Sequence, residues 1–376
     1  MALFFRNISI VGLLFFTSCF FDGKDSSSSL NLFFSQSRHL ELEPCGCSLG
    51  PKGGVVREFN FFQSNRTPLK EPSLYLVMGP TFSPDVGKTF QPSRKQYQVK
   101  AESLAKAFKS NQVNYVGAAT EDTIWEKDYL EDLAKKGGFQ WVSSNLYSTL
   151  HQKSYFSKYA WLEINQQKIL ITSLAAPPSS LFRNEVKNLL VQDPETSIKE
   201  TISELSEKPS LILILTNLDR DTRLRVSRSI SLPVLFLGSQ EEVIKDSIEQ
   251  VSGSAVLTSI SQRAKGILKA RIDLVKNGTQ FFGKKLAEQT AYTLSVYEST
   301  LASNQQLLSR DPSPEVRKSI EAENQSRLET LEILKKVPLK PSRETFRIDE
   351  VEGTLLGPEW DLPQNILTPV VEDSKK

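Results

Sequence analysis

The sequence predicts an α/β protein with mixed β-sheets covered by helices, followed by a helical extension. Three observations carry that expectation. Short, continuously apolar runs recur, such as "SLYLVMG" (73–79), "LILILTNL" (211–218) and "LPVLFLGS" (232–239). An uninterrupted apolar run is what a strand buried on both faces requires. Amphipathic segments of helical period lie between these runs, which is the alternation that builds layered α/β folds. Two further stretches read as hairpins, so the sheets are expected to be mixed rather than all parallel.

The elements follow in order. Residues 30–37 form an apolar strand, and 53–65 a helix with Val55, Phe59 and Phe62 on one face. The strand at 73–79 closes on Gly79. Residues 98–111 form a helix with Leu104, Ala107 and Phe108 inward, and "VNYVGAA" is the next strand. The helix at 126–138 ends on a glycine suited to a left-handed cap. "FQWVSSNLY" (139–147) is expected as one strand, and 159–175 as a hairpin joined across 165–168. A helix near 195–207, the strand at 211–218, an arginine-bearing helix, the strand at 232–239 and "SAVLTSI" complete the alternation. Residues 266–282 are expected as a hairpin turning at Asn277-Gly278. Two long polar helices then fill 286–310 and 314–336, with Ser313 capping the second ahead of Pro314 and a narrow stripe of Leu328, Leu331 and Leu334. Residues 341–376, rich in proline, glycine and acids, read as an extended acidic tail.

The 376 residues are 39% hydrophobic and 24% charged, an ordinary globular balance with ample material for a core. A net charge of +2 without a basic, aromatic-rich stripe argues against nucleic acid as a partner. The first 18 residues read as a lipoprotein-type signal peptide. Arg6 precedes the short apolar run "ISIVGLLFF", which is shorter than the roughly 20 residues that span a bilayer. "FTSC" follows and ends on Cys19, the expected lipidation site, with Ser18 fitting the position before it and Phe16 standing where leucine is usual. Residues 19–29 are Ser-rich and read as a tether. These features imply attachment to a bacterial cell envelope, on the periplasmic face of the outer membrane or at the cell surface; Phe20 after the cysteine favours the outer membrane.

Only three cysteines and two histidines occur, Cys19, Cys45 and Cys47, and His39 and His151. "SRHLELEPCGC" (37–47) followed by "GGVVR" (53–57) resembles the first motif of the calcineurin-like metallophosphoesterase domain of the 5′-nucleotidase and UDP-sugar hydrolase superfamily. It is most similar to a bacterial lipoprotein branch whose run is D-x-H-G-x-L-E-P-C-G-C and then G-G-x-x-R-R. The resemblance implies a four-layer α/β-β/α sandwich over residues 30–284, with 285–340 as the helical extension. It also implies two divalent metals held by carboxylate, imidazole and amide ligands at strand ends, activating a water against phosphorus.

Carried over position by position, that ligand set is degraded. The first aspartate is Ser37, while the histidine remains as His39. The bridging aspartate after "VMG" is Pro80. In the third motif the asparagine is Thr120, the catalytic histidine is Glu121, and the acid persists as Asp122. The fourth-motif histidine is Asn217. The G-H-x-H of the fifth is Gly238, Ser239, Gln240 and Glu241. No catalytic residue and no cofactor are expected, and the chain reads as a pseudoenzyme serving as a binding or scaffolding module with a possible envelope protein partner. Two alternatives stay open. One is a divergent hydrolase with a divalent metal at His39, Asp122 and Glu241. The other is a thiol-based metal or redox protein using Cys45 and Cys47, with His39 as a further soft-metal ligand. Free thiols or a strained Cys45–Cys47 disulfide remain alternative states of that loop. His151 reads as a surface residue. No second substrate-binding domain is expected in the polar, helical stretch after Phe282.

Overall fold

The computed structural model describes residues 28–44, 50–66, 71–85, 94–240, 248–252, 255–258, 260 and 263–361. Cys19, Cys45, Cys47 and Glu241, together with the leader, lie outside the described residues.

The chain begins with β1 (Ser28–Gln36), α1 (Val55–Asn65), β2 (Ser73–Met78), α2 (Arg94–Asn111), β3 (Tyr115–Gly117), α3 (Lys127–Gly137) and β4 (Gln140–Val142). These four strands are parallel neighbours, each joined to the next through a helix, the crossover that parallel pairing demands. The helices bury one face of the sheet: Phe33, Tyr75 and Val77 pack with Phe59, Phe62, Leu104, Phe108 and Leu133. Gly138 ends α3 at φ 69, as its sequence position predicts. β1 starts at Ser28, so the last two residues of the expected tether belong to the sheet.

A second sheet follows. Its elements are β5 (Leu146–Ser148), β6 (Lys153–Ser154), β7 (Tyr159–Ile164), β8 (Gln167–Leu174), β9 (Leu189–Val191), α4 (Pro194–Ser203), β10 (Leu211–Thr216), α5 (Arg220–Ser229), β11 (Val234–Leu237), β12 (Glu249–Ser252) and β13 (Ala255–Thr258). The six-stranded order is β12-β13-β11-β10-β8-β7, and β6-β5-β9 form a small separate sheet. β7 and β8 make the expected hairpin, closed by Asn165 and Gln166 at φ 47 and 64, the paired positive values of a type I′ turn. The expected strand at 139–147 is instead β4 and β5, split by Ser143-Ser144-Asn145 into two sheets. Ile198 of α4 and Val226 of α5 cover the outer face. Leu32, Phe34, Leu76 and Met78 meet Ile171, Leu213, Leu215 and Leu235 between the sheets. The result is the expected four-layer α/β-β/α sandwich with mixed sheets and a helical extension.

The last elements are β14 (Gly266–Leu274), β15 (Gln280–Phe282), α6 (Lys284–Ser309), α7 (Pro314–Leu334) and β16 (Thr345–Leu355). Two expectations fail here. The 266–282 hairpin does not close, because β16 inserts between its arms, giving the order β15-β16-β14-β1-β2-β3-β4. The segment read as an acidic tail from residue 341 therefore contributes an 11-residue strand. Phe346 and Ile348 point into the core, and a register shift opposite Lys269–Arg271 breaks the alternation that would have marked the strand. α6 and α7 form a hairpin that begins over the sandwich edge through Leu286 and Val337. Ser313 caps α7 as expected. Of the expected leucine stripe only Leu331 is buried; Leu328 is half exposed, and the inward face runs through Ile320, Asn324 and Arg327 instead.

Candidate functional site

The parallel strands of both sheets end on one side, and their loops are tied to one another directly. Gln36, the last residue of β1, exchanges two hydrogen bonds with Ser239 beyond β11: Nε2 donates to Ser239 O at 3.3 Å, and Ser239 N donates to Oε1 at 3.1 Å. Thr120 Oγ1 lies 3.0 Å from Ala176 O, past β8. Ala176 N in turn donates to Asn217 Oδ1, past β10, at 2.8 Å. Glu121 Oε1 accepts from Ser179 N at 3.3 Å. Asn145 clamps Ala175 by two bonds of 2.8 Å, and Ser173 Oγ donates to Val142 O at 2.7 Å. Gly238 lets this happen. It sits at φ 102, and a Cβ there would strike Thr216 O and stand 2.9 Å from Gln36 Oε1.

Asp122 is at the centre of the other half. It lies in a short 3₁₀ turn, Thr120–Ile124, and is fully buried. Its Oδ1 accepts from Thr81 N at 2.8 Å and Phe82 N at 2.7 Å, and its Oδ2 accepts from Ala119 N at 3.1 Å. The carboxyl thereby fastens the loop after β2 to the loop after β3. Burial pushes its pKa up to about 6, against the pull of the three amide bonds toward the ionised form. Pro80 follows a cis peptide bond in the same loop, and its ring supplies no donor atom.

Ser37, His39 and Leu40 all sit at positive φ, from 50 to 58. Ser37 is buried and bonded through its backbone to Met78 and Arg263. His39 N donates to Pro80 O at 3.0 Å. Burial pushes the His39 imidazole below its ordinary value, opposed by the Asp85 carboxylate, which is itself paired with Arg263. His39 Nδ1 and Thr81 Oγ1 are buried without a hydrogen-bond partner. His151 lies exposed on the rim of a separate polar cleft, as a surface residue should.

The site positions thus separate into groups. Thr120, Glu121 and Asn217 converge on the loop after β8; Asp122 and Pro80 share the β2 loop with His39; Ser239 pairs with Gln36. Cys45, Cys47 and Glu241 lie outside the described residues.

Two polar constellations went unread in the sequence. Arg38 is fully buried and pairs with Glu58, whose other oxygen accepts from Tyr75 Oη, which also meets Ser35 Oγ at 2.9 Å. The signal was available, since Glu58 lies on the apolar face of α1 beside Phe59. Arg57, matched on the family motif, forms a two-bond clamp on Asp361 at 2.7 Å each and donates to Pro51 O at 2.6 Å. Asn60 Nδ2 holds Trp360 O at 2.6 Å, and Gly53 N holds Leu356 O at 2.8 Å. That second signal pointed to a motif without revealing its partner, which lies 304 residues away.

Two facing mixed sheets, helices outside both, and one shared set of strand-end loops define the calcineurin-like metallophosphoesterase fold. Solved structures of that class match. The sulfate thiohydrolase SoxB of Thermus thermophilus is 14% identical over 65% of this chain and 54% of its own, with a TM-score of 0.55. The NAD nucleotidase of Haemophilus influenzae is 11% identical over 65% and 47%, at 0.51. The 5′-nucleotidase of Candida albicans is 10% identical over 66% and 48%, at 0.50. The chain spans about half the length of these proteins. No protein-family model matches the sequence, and no curated protein aligns with it significantly.

The fold class normally carries divalent metals. The described residues do not fit a two-metal centre. Both Asp122 oxygens are engaged by amides, Pro80 offers no side-chain donor atom, and the buried polar atoms without a partner in the β1 and β2 loops are one imidazole nitrogen (His39), two hydroxyls (Thr81 and Ser83) and two guanidinium nitrogens of Arg38, with no carboxylate oxygen among them. Among the described residues no three His, Cys, Asp or Glu side chains gather as a metal-binding group.

Proposed function

We propose that this chain is a catalytically degenerate metallophosphoesterase-fold protein that serves as a binding or scaffolding module of the bacterial cell envelope, anchored by a lipid on Cys19. The observation that supports it most is the Asp122 cage. The one acidic motif position that the sequence retains, Asp122, accepts from the amides of Thr81, Phe82 and Ala119. Three of the roughly four lone-pair directions of the carboxylate are taken, so an ion at Asp122 would compete with buried amides for its oxygens. Each amide left without its acceptor costs about 1–3 kcal/mol. The anchor rests on the leader and Cys19. β1 begins nine residues after that cysteine, a stretch that reaches at most about 30 Å and keeps the domain near the membrane surface.

The test is metal content joined to turnover. The purified chain is incubated with manganese, zinc and magnesium, desalted, and its ions counted by mass spectrometry. Phosphodiester and 5′-nucleotide hydrolysis are measured alongside. No stoichiometric ion and no turnover above background are expected. Two ions per chain, or turnover abolished by His39→Ala, overturns the reading. One ion that disappears in the Cys45→Ser, Cys47→Ser double variant moves the assignment to the thiol loop.

A further inference from the structure

The three sheets end on β15 and β4, on β12 and β7, and on β6 and β9. Apart from β7, these edge strands are two to four residues long, and β12 is also interrupted by a register shift. Short and irregular edges keep a sheet from pairing with another chain. β7 has neither protection. It runs six residues, Tyr159–Ile164, in unbroken register with β8, contains no proline, and carries one charge, Glu163.

The hairpin fixes which backbone groups of β7 are free. Asn165 and Gln166 form its two-residue turn, so Ile164 and Gln167 are the closing hydrogen-bonded pair. Bonded pairs then alternate through Leu162–Ile169 and Ala160–Ile171. The N–H and C=O groups of Tyr159, Trp161 and Glu163 therefore point away from β8, and among the described residues no other backbone bond holds them. The side chains of the same three residues share the outer face. Trp161 is 37% exposed, and its ring stands edge-on to Tyr159 at 6.0 Å between centroids.

The pattern of that edge names its occupant. An antiparallel strand centred on Trp161 has to meet an aromatic ring at the centre, an acid on one side and a tyrosine on the other. β7 supplies all three. Paired with its own copy, Trp161 lies opposite Trp161 of the partner subunit, and Glu163 opposite Tyr159 of the partner subunit. This register sets every outward-facing residue against an outward-facing residue, so each can exchange backbone bonds. Glu163 then sits between that tyrosine and Lys168, its own neighbour across the hairpin. The two glutamates stay four positions apart, about 13 Å, so no like charges meet. Among the described residues each chain has one long free edge, and the pairing consumes it, which closes the assembly at two copies rather than a fibre.

We propose that β7 pairs antiparallel with β7 of a second copy, about a two-fold axis at Trp161, joining two six-stranded sheets into one. The edge is separate from the strand-end loops, so the proposal holds whether or not those loops take a metal. The full chain, in a density-matched detergent, is followed by sedimentation equilibrium across the micromolar range. A concentration-dependent dimer is expected. Trp161→Lys and Trp161→Glu each set like charges opposite one another at the axis, and each is expected to weaken the dimer about tenfold. An equimolar mixture of the two variants restores it, because lysine then faces glutamate; a misfolded variant cannot give that rescue. A chain that stays monomeric overturns the proposal, as does a dimer that both variants leave unaltered. Variants that weaken the dimer and do not recover on mixing overturn the pairing at Trp161.

Discussion

Asp122→Asn tests the account of the strand-end loops most directly. Folding raises the Asp122 pKa from 3.8 to about 6, because a fully buried carboxylate loses its hydration. Between these two values the folded chain holds a proton that the unfolded chain has released. The sign follows from linkage: the stability given by the neutral carboxyl is complete below about pH 4 and is lost as pH rises through about 6. Two pKa units correspond to about 3 kcal/mol. Asparagine does not titrate. Its oxygen still serves Thr81 N and Phe82 N, but its amide group faces Ala119 N, which loses its acceptor at a cost of about 1–3 kcal/mol. The variant is therefore expected to be less stable than the native chain at pH 5, and equal to it or more stable at pH 8. Urea unfolding at the two pH values measures this, followed by circular dichroism and by tryptophan emission. Trp125 is a suitable reporter, since its indole donates to Phe82 O within the same loop at 2.6 Å. A difference between the two chains that is the same at both pH values refutes the reasoning.

Two further outcomes follow from the same packing. Gly79→Ala places a methyl against Asp122 Oδ2 and 2.8 Å from Ala119 N, so it is expected to cost about 1–3 kcal/mol and lower the thermal midpoint by several degrees; an unchanged midpoint refutes the close approach. Arg57→Met removes the clamp on Asp361 and the bond to Pro51 O, and is expected to cost about 2–4 kcal/mol, discounted because the Asp361 side chain is half exposed. It should also speed protease cleavage near Trp360, whose ring packs 5.0 Å from Phe61; cleavage at the native rate counts against the clamp.

The body of the fold was legible because its strands are buried on both faces. "LILILT" of β10 has no exposed residue, and such a run leaves few readings other than a central strand. β16 was not legible for the converse reason. "TFRIDEVEGTL" carries four charged residues among eleven and a bulge, so neither alternation nor continuity marks it. Its partner β14 was read correctly as a strand and assigned the wrong neighbour, since Asn277-Gly278 is a strong hairpin signal that β16 overrides. In the site, side-chain types at motif positions could be read one at a time. The bonds they now make could not. Gln36 and Ser239 are 203 residues apart, and nothing local in either stretch announces the pair.

Those bonds tie the strand-end loops to one another directly. In the family that the sequence resembles, loops from two sheets are joined through ions, and the chemistry comes with the joint. Here Gln36 with Ser239 and Thr120 with Ala176 join loops of the two sheets, while Asn217 with Ala176, and Asp122 with Thr81 and Phe82, tie neighbouring loops within one sheet. Each bond contributes only about 0.5–1.5 kcal/mol, but leaving any one of these buried groups without its partner costs more than making the bond gains. At Gln36, Thr120, Asp122, Asn217 and Ser239 the loops are held by bonds that a substitution would break. Ser37, His39 and Leu40 keep left-handed backbone at the head of this array, a conformation that non-glycine residues hold only where neighbours enforce it. The enforcing groups are visible: Arg263 and Met78 bind the Ser37 backbone, Pro80 binds His39, Thr81 binds Leu40, and the buried Arg38–Glu58 pair pins the residue between them. The shape of this buried loop is therefore fixed by hydrogen bonds and an ion pair within the protein itself.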